Sequence, residues 1–256
     1  MFIEIENVFQ SFGDGAGSPP VLENINLDIK QGELVCLLGP SGCGKSTLLN
    51  IVAGFIKAEE GSVRIEGEVV TAPAINRLVI FQDYGLLPWR TVGQNVALGL
   101  EVKKVTRAEQ NIMITKYLKM VGLEDARDRF PHQLSGGMQQ RAAIARALAV
   151  QPEILLMDEP FGALDAITRM KLQEDILTLC RETGTTILFV THDIEEAVYL
   201  ADRIVILSAN PGRIHAVLDV EMPHLRERTS DDFVLMRDRV FKAINLKHEH
   251  PLEYYL

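Results

Sequence analysis

The sequence predicts an α/β fold, in which strands and helices alternate along the chain. Strand-length apolar runs are separated by segments whose apolar side chains recur at helical spacing, and these runs occupy residues 33–38, 77–82, 154–159, 186–190 and 204–207. A glycine-rich segment, residues 39–47, lies directly between the first run and a helical pattern that contains Leu48, Val52 and Phe55. At 256 residues the chain is long enough for one large α/β domain or for a core with an inserted subdomain.

The glycine-rich segment matches the phosphate-binding pattern G-x-x-x-x-G-K-S/T. It consists of Gly39, Pro40, Ser41, Gly42, Cys43, Gly44, Lys45, Ser46 and Thr47. Its glycines let successive N–H groups point inward around a phosphate chain, and the following helix directs its positive dipole end at the same place. Lys45 suits the β- and γ-phosphates of a nucleotide, and the Ser46 hydroxyl suits Mg²⁺. The alternative is a glycine-rich turn with an incidental lysine, which the flanking strand and helix disfavour.

Composition narrows the class of protein. The chain is 47% hydrophobic and 24% charged, as ordinary globular proteins are. Its net charge of −9 argues against nucleic acid as the main partner. Cys36, Cys43 and Cys180 form neither a disulfide framework nor a zinc pattern, so we expect a reducing cytoplasm. We see neither an apolar run near the roughly 18 residues of a membrane span nor a signal peptide. Any work at a membrane would therefore require a partner.

The N-terminal third is predicted to be β structure. Ile25, Leu27 and Ile29 alternate with polar residues, Val63 and Ile65 mark a further short strand, and residues 13–20 are predicted to form a loop. Phe9 and Phe12 flank a polar pair. Either one of them stacks on an adenine ring or both belong to the core.

A glutamine and a tryptophan follow the strand predicted at 77–82. Gln82 ends that strand, where its amide would either reach Mg²⁺ and the attacking water or simply close the strand with a polar group. Trp89, the only tryptophan, lies either beside a partner-binding groove or in packing between the core and an inserted helical subdomain. That subdomain includes a helix that starts with the capping box Thr106–Glu109 and stops at Gly122.

A second anion-binding helix start is predicted at residues 134–140. There, Ser135, Gly136 and Gly137 precede the alanine-rich helix that begins around Arg141. A serine–glycine–glycine turn that leads into a helix presents free N–H groups to an anion. The alternative is an ordinary helix cap.

Two later strands end in polar side chains. The strand at 154–159 delivers Asp158 and Glu159, which suit indirect coordination of Mg²⁺ and polarisation of water, unless they are merely solvated acids. The strand at 186–190 is followed by His192, placed where ligands bind in open α/β sheets, or else structural. After the strand at 204–207 the chain turns, and residues beyond 222 are predicted to be helical and charged. Near the end of the chain, His248 and His250 are separated by one glutamate, which is only weak evidence for a metal site and is more typical of a solvated tail.

Together and in this order, the motifs resemble the ABC-type ATPases, and the resemblance covers residues 1 to about 215. It implies a RecA-like P-loop NTPase core with an N-terminal antiparallel β subdomain and a helical subdomain inserted at about 88–150. The ATP-binding domain would span residues 1–222, and residues 223–256 would form a short helical tail without a separate regulatory domain.

The resemblance also assigns roles. Gln82 becomes the Q-loop glutamine, Asp158 closes the strand that supports Mg²⁺, Glu159 is the catalytic base and His192 contacts the γ-phosphate. Asp165 belongs to the D-loop, and Phe12 takes the position of the adenine-stacking aromatic. In this family ATP lies between the phosphate loop of one subunit and the Ser135–Gly137 equivalent of a second. The resemblance thus implies ATP and Mg²⁺ as cofactors and a second ATP-binding subunit, identical or homologous.

Finer features resemble one importer subclass, that for nitrate, sulfonates, taurine and similar solutes. These features are Gln82–Trp89 and residues 210–214. The resemblance implies transmembrane permease subunits that contact the Gln82–Trp89 region, an external solute-binding protein that acts indirectly, and a peripheral location on the cytoplasmic face of the membrane. An exporter subunit, a soluble ABC ATPase of translation or DNA repair, and a small-molecule kinase are the competing interpretations. Because Cys43 lies in the phosphate loop, we also expect thiol alkylation to inhibit the protein.

Overall fold

The computed structural model describes residues 1–12 and 19–245. Within these residues the chain forms ten strands and seven α-helices. The strands are β1 (Ile3–Ser11), β2 (Pro20–Ile29), β3 (Leu34–Leu38), β4 (Glu60–Ile65), β5 (Glu68–Val69), β6 (Arg77–Ile80), β7 (Ile154–Asp158), β8 (Thr186–Thr191), β9 (Arg203–Leu207) and β10 (Ile214–Asp219). The helices are α1 (Lys45–Ala53), α2 (Val92–Val102), α3 (Arg107–Met120), α4 (Gly136–Ala149), α5 (Ala166–Thr183), α6 (Ile194–Leu200) and α7 (Asp231–Asn245).

The strands belong to two sheets in the described part of the chain. Four strands form an antiparallel sheet in the order β2-β1-β4-β5, and six form a second sheet in the order β10-β9-β3-β8-β7-β6. All neighbours in the second sheet are parallel except β10, which runs antiparallel to β9. The predicted α/β fold is confirmed, with the antiparallel sheet at the N-terminal end of the chain. The carboxyl ends of β3, β7 and β8 therefore meet at one edge of the sheet.

Strand β3 separates two hydrophobic clusters, which explains its continuous apolar run. Leu34, Cys36 and Leu38 pack with the helices on one face of the sheet. Val35 and Leu37 pack with α1 and the antiparallel sheet on the other face. A strand buried on both faces cannot alternate apolar and polar side chains, and this is the pattern from which it was predicted.

The predicted helical segment contains α2, α3 and α4. The capping box of α3 is present, because the Thr106 side chain accepts from the Glu109 N–H while the Glu109 carboxylate accepts from the Thr106 N–H. A second capping box, which we did not predict, joins Thr91 and Gln94 at the start of α2. The side chain of the fully buried Asn95 bonds the backbone of Leu87 and so holds the loop that precedes α2.

The part of the chain after β9 is more regular than the sequence predicts. Strand β10 was missed because none of its side chains is fully buried and the exposed Val217 interrupts the alternation of apolar and polar residues. Helix α7 packs on α6 and buries Phe233 and Val240. Most of the loop predicted at residues 13–20, namely residues 13–18, lies outside the described residues. The same is true of His248 and His250. Of the helices within residues 1–12 and 19–245, none is long and apolar enough to cross a membrane.

Candidate active site

The phosphate-binding loop connects β3 to α1 and is shaped by a close approach of β2. Gly44 has φ +91°, and a Cβ atom there would lie 2.5 Å from the Leu22 side chain and 3.0 Å from the Val21 carbonyl oxygen. Only glycine fits that backbone and that space. The loop therefore leads into α1 with the N-terminal N–H groups of the helix unobstructed by a side chain.

The Lys45 ammonium is buried at the centre of the loop. The residue is only 7% exposed, and its Nζ donates to the carbonyl oxygens of Gly39 (2.8 Å) and Pro40 (2.9 Å). Among the residues that the structure describes, no carboxylate lies within ion-pair distance of this ammonium. A buried cation whose hydrogen-bond acceptors are neutral is suited to an anionic ligand, since charge pairing offsets the cost of its desolvation.

Asp158, the last residue of β7, lies beside the first turn of α1. Burial raises the pKa of its carboxyl group, as does the nearby Glu159, while a hydrogen bond with the Ser46 side chain and the charge of Lys45 act in the opposite direction. A carboxylate whose charge is disfavoured by burial gains from a neighbouring cation. Ser46 and Asp158 thus form a paired oxygen site next to the loop.

Glu159 follows β7 in a left-handed backbone conformation, with φ +47°. Its N–H donates to the Val190 carbonyl oxygen (3.0 Å), which ties the residue to β8. Its Oε1 lies 3.0 Å from Nδ1 of His192, which follows β8 directly. The positive φ of a non-glycine residue is uncommon and clusters at functional sites. It turns the Glu159 side chain away from the strand and toward the histidine.

One cavity of about 550 Å³ at the carboxyl ends of the strands holds the lysine, serine, glutamate and histidine described above, whereas Asp158 does not line it. It is lined by Phe12, Val21, Ser41, Gly42, Gly44, Lys45, Ser46, Thr47, Gln82, Glu159, Val190 and His192. Gln82 follows β6 by two residues, so its exposed side chain belongs to the cavity wall rather than to the strand. Phe12 is 56% exposed and lines the cavity, whereas Phe9 is half-buried and does not. The interpretation that both phenylalanines belong to the core is therefore wrong.

Gly39, Pro40 and Cys43 do not line this cavity. The first two present their carbonyl oxygens to Lys45 instead. The Cys43 side chain is completely buried in the cluster between α1 and the antiparallel sheet, with its Sγ 3.7 Å from Lys45 Nζ. Our expectation that alkylation of Cys43 inhibits the protein is therefore wrong for the folded chain, because a reagent cannot reach the thiol.

The second predicted anion-binding helix start lies elsewhere on the molecule. Ser135 caps α4 by accepting from the Met138 N–H (3.3 Å), and Gly136 is the first residue of that helix. A Cβ atom at Gly137 would lie 3.1 Å from the Ala163 carbonyl oxygen, so the turn packs against the segment before α5. That segment ends at Asp165, which caps α5 through the Thr168 N–H (3.0 Å). None of these residues lines the cavity.

Arg146 connects α4 to the segment after Gln82 and was not predicted. Its guanidinium donates to the carbonyl oxygens of Gly85 (2.5 Å) and Tyr84 (3.0 Å), and both residues have positive φ angles. Burial lowers the pKa of Arg146, against the nearby charge of Asp83. No local sequence signal could have revealed this contact, because its partners are about sixty residues apart in the chain.

A separate apolar groove of about 400 Å³ lies between the six-stranded sheet and α2. Its exposed apolar side chains include Phe55 and Val102, at 51% and 62% exposure, and Phe81 and Leu98 also line it. Trp89 is 71% exposed. The interpretation that it packs between the core and the helical subdomain is therefore wrong.

The cavity fits a nucleoside triphosphate with its magnesium ion. It combines a buried ammonium, a helix start and an exposed aromatic ring, which suit phosphates and a base respectively. In the described part of the chain, no three or more His, Cys, Asp or Glu side chains cluster closely enough to hold a metal ion by themselves. The Ser46–Asp158 pair fits Mg²⁺, which typically takes one or two protein oxygens and completes its shell with phosphates and water.

Comparison with known proteins agrees with this geometry. The family model for ABC transporters matches residues 22–162, just over half of the chain. The chain belongs to the ABC transporter family. As an ABC ATP-binding protein, it is an ATPase. It shares 47% identity over 94% of its length, and 91% of the relative's, with the uncharacterized ABC transporter ATP-binding protein MJ0412 of Methanocaldococcus jannaschii.

Two relatives carry transport names. The nitrate import ATP-binding protein NrtC of Synechococcus elongatus is 47% identical over 89% of this chain, which spans only 35% of NrtC. The bicarbonate transport ATP-binding protein CmpD of Synechocystis sp. is 46% identical over 90% of this chain and 84% of CmpD. Among solved structures, a dimeric ABC transporter cassette, MJ0796, matches with a TM-score of 0.80 at 36% identity, over 86% of this chain and all of that one. The same cassette has also been solved as a post-hydrolysis dimer bound to ADP and Pi, with a TM-score of 0.78.

Proposed function

We propose that this chain powers an importer for a small solute, an anion such as nitrate, bicarbonate or a sulfonate, or the zwitterionic sulfonate taurine. The observation that carries the proposal is the cavity at the ends of β3, β7 and β8, which brings Lys45, Ser46 and the Glu159–His192 pair together. Asp158 lies beside Ser46 at its edge. The likeness to nitrate and bicarbonate transport proteins supports the importer class.

In this proposal, the phosphate loop from Gly39 to Thr47 and the buried Lys45 bind the triphosphate. Ser46, Gln82 and Asp158 would hold Mg²⁺. When bound, Mg²⁺ neutralises charge on the β- and γ-phosphates. Phe12, exposed at the rim of the cavity, stacks on the adenine.

Glu159 acts as the general base that takes a proton from the attacking water. Its carboxylate lies at the cavity wall and contacts the His192 ring at 3.0 Å. His192 contacts the γ-phosphate and keeps Glu159 oriented. The positive φ of Glu159 supports this role, because it directs the carboxylate into the cavity rather than along β7.

Residues outside the cavity complete the site of a second subunit. Ser135, Gly136 and Gly137 form an anion-binding helix start that packs on the segment leading to Asp165, yet none of them lines the chain's own cavity. In a head-to-tail pair, this surface closes on the ATP of the partner. ATP draws the two subunits together, and hydrolysis reopens them.

The ATP-binding domain spans residues 1–222, and its helical subdomain spans about residues 88–150. The helical subdomain transmits the closing and reopening of the two subunits to a permease. The apolar groove with Phe55 and Val102 receives a cytoplasmic segment of the permease, which also contacts the Gln82–Trp89 region. Phe81 of the groove directly precedes Gln82 of the cavity, and Arg146 lines the groove as well. Arg146 holds the Gln82–Trp89 region at Gly85. The chain is thus peripheral, at the cytoplasmic face of the membrane, and an external solute-binding protein supplies the solute.

Val102→Glu is expected to abolish membrane attachment and transport while leaving the ATPase activity of the purified chain unchanged. A charge on this exposed groove residue opposes docking of an apolar segment without disturbing the core. In host cells that lack the native gene, the chain carrying Val102→Glu should be lost from the membrane fraction. Uptake of nitrate, bicarbonate or taurine, whichever the wild-type gene restores, should fall to the deletion background.

Ile112→Glu is the matched control. Ile112 is 70% exposed on α3 and does not line the groove, so this variant should bind membranes and transport normally. Full transport by Val102→Glu would refute the groove as the docking site. Failure of the wild-type gene to restore uptake of any of these three solutes would refute the proposed solute class.

A further inference from the structure

Glu196 is a buried carboxylate that the proposed chemistry does not use. It lies in α6, is only 6% exposed, and accepts a hydrogen bond from Thr191 Oγ1 at 2.7 Å. The same Thr191 hydroxyl accepts from the Asp193 N–H at 3.1 Å. The Thr191 hydroxyl therefore links the two residues that flank His192, Thr191 and Asp193, to each other and to Glu196.

His192 depends on this backbone anchoring because its own side chain is 68% exposed. Its described polar contact is the 3.0 Å approach to Glu159. An exposed side chain loses rotamer entropy when it is held in one orientation, so a rigid backbone beneath it lowers the cost of the Glu159 contact.

The anchoring continues beyond Glu196 to the segment before α7. Gln173 of α5 is buried, and its Nε2 donates to Glu196 Oε1 at 3.2 Å. Its Oε1 accepts from Arg228 at 2.6 Å, and the Arg228 guanidinium lies 3.9 Å from the centre of the Tyr199 ring. Arg169 approaches Glu196 Oε1 at 3.8 Å. The chain of contacts thus runs from Arg228 through Gln173, Glu196 and Thr191 to His192.

We propose that Glu196, Gln173 and Arg228 are positioning residues that hold His192 in the orientation in which it meets Glu159 and the nucleotide. The inference rests on the proposed role of His192. It adds a connection between the segment leading to α7 and the hydrolysis site, so that a change at Arg228 alters turnover without touching the nucleotide.

The order of hydrogen-bond donors and acceptors along this chain of contacts is fixed. The Gln173 amide satisfies both neighbours in one orientation only, with its nitrogen toward the carboxylate and its oxygen toward the guanidinium. Glu196→Gln breaks this order. If the new amide nitrogen faces Gln173, two donors meet; if it faces Thr191, the hydroxyl proton of Thr191 loses its acceptor. The exchange Glu196→Gln with Gln173→Glu restores a hydrogen-bond partner for Thr191, for Arg228 and for both exchanged side chains.

The test measures turnover at saturating Mg-ATP, ATP affinity and thermal stability of the purified full chain. Glu196→Gln should lower turnover about tenfold, as expected for a buried donor or acceptor left unpaired, with ATP affinity unchanged within about twofold. The exposed neighbour provides the control, because Glu195→Gln should have no effect on turnover. The double exchange should recover turnover to within about threefold of the wild type.

Wild-type turnover in Glu196→Gln would overturn the proposal. So would a double exchange that recovers thermal stability but not turnover, since the restored order of donors and acceptors would then fail to restore the function of His192. His192→Ala distinguishes failure of the positioning role of Glu196 from failure of the proposed role of His192 in hydrolysis. If it impairs turnover while Glu196→Gln does not, only the positioning role fails. If His192→Ala keeps full turnover, the role of His192 itself fails, and the positioning inference fails with it.

Discussion

Glu159→Gln is expected to retain ATP binding while hydrolysis slows by about 10²–10⁴, the usual contribution of a positioned general base. The amide keeps the shape of the side chain and its contact distance to His192 but cannot accept a proton from water. Steady-state release of phosphate and equilibrium binding of a fluorescent ATP analogue measure the two quantities separately.

A matched control for this variant is Glu182→Gln, which changes an exposed carboxylate near the end of α5 and should leave turnover unchanged. Near-normal hydrolysis by Glu159→Gln would remove Glu159 from the chemistry. The base would then have to be sought elsewhere in the cavity, with His192 as the nearest alternative at 3.0 Å.

Lys45→Ala is expected to weaken Mg-ATP binding about 10- to 100-fold, the range for loss of one charge-assisted hydrogen bond to a phosphate. The structure strengthens this expectation because the ammonium is already buried and held by neutral acceptors, chiefly the Gly39 and Pro40 carbonyl oxygens. Isothermal titration with Mg-ATP measures the loss.

The exposed Lys57, four residues beyond the end of α1, gives the corresponding control, since Lys57→Ala removes a charge from the same region without touching the cavity. A thermal melt of each variant shows whether the loop still folds. Unchanged affinity in a folded Lys45→Ala protein would be incompatible with the proposed phosphate contact.

The elements that could be predicted from sequence are those whose pattern is set locally. Strand β3 shows a continuous apolar run because both of its faces are buried, and α3 carries its own capping box. Strand β10 lacked such a signal because, at the edge of the sheet, the exposed position 217 holds valine, which interrupts the alternation of apolar and polar residues. Its pairing with β9 is a long-range event that the local pattern does not specify.

The same distinction holds for the site. The phosphate loop, Asp158–Glu159 and His192 each follow a recognisable strand, and the carboxyl ends of parallel strands bring them together. The contacts that hold them in place could not be predicted. Arg146 reaches Gly85, and Gln173 reaches Glu196, through pairings that depend on the packing of separate helices. The burial of Cys43 was missed for a related reason, since its neighbours Ser41 and Gly42 face the cavity while its thiol enters the core.

The central claim is that ATP closes two copies of this chain around two shared sites. The most direct test is the molar mass of the Glu159→Gln protein by light scattering, first with Mg-ATP and then with Mg-ADP. Slow hydrolysis in this variant preserves the ATP-bound state during the measurement. Combining it with Ser135→Arg, which places a bulky charge at the start of α4, provides a control that should remain monomeric under both conditions.

A mass of two chains with Mg-ATP and of one chain with Mg-ADP is the predicted result. It would show that the chain pairs with itself and that the γ-phosphate drives the pairing. A single-chain mass with both nucleotides, while ATP is demonstrably bound, would contradict the self-paired arrangement and would require a different ATP-binding subunit or the permease for closure.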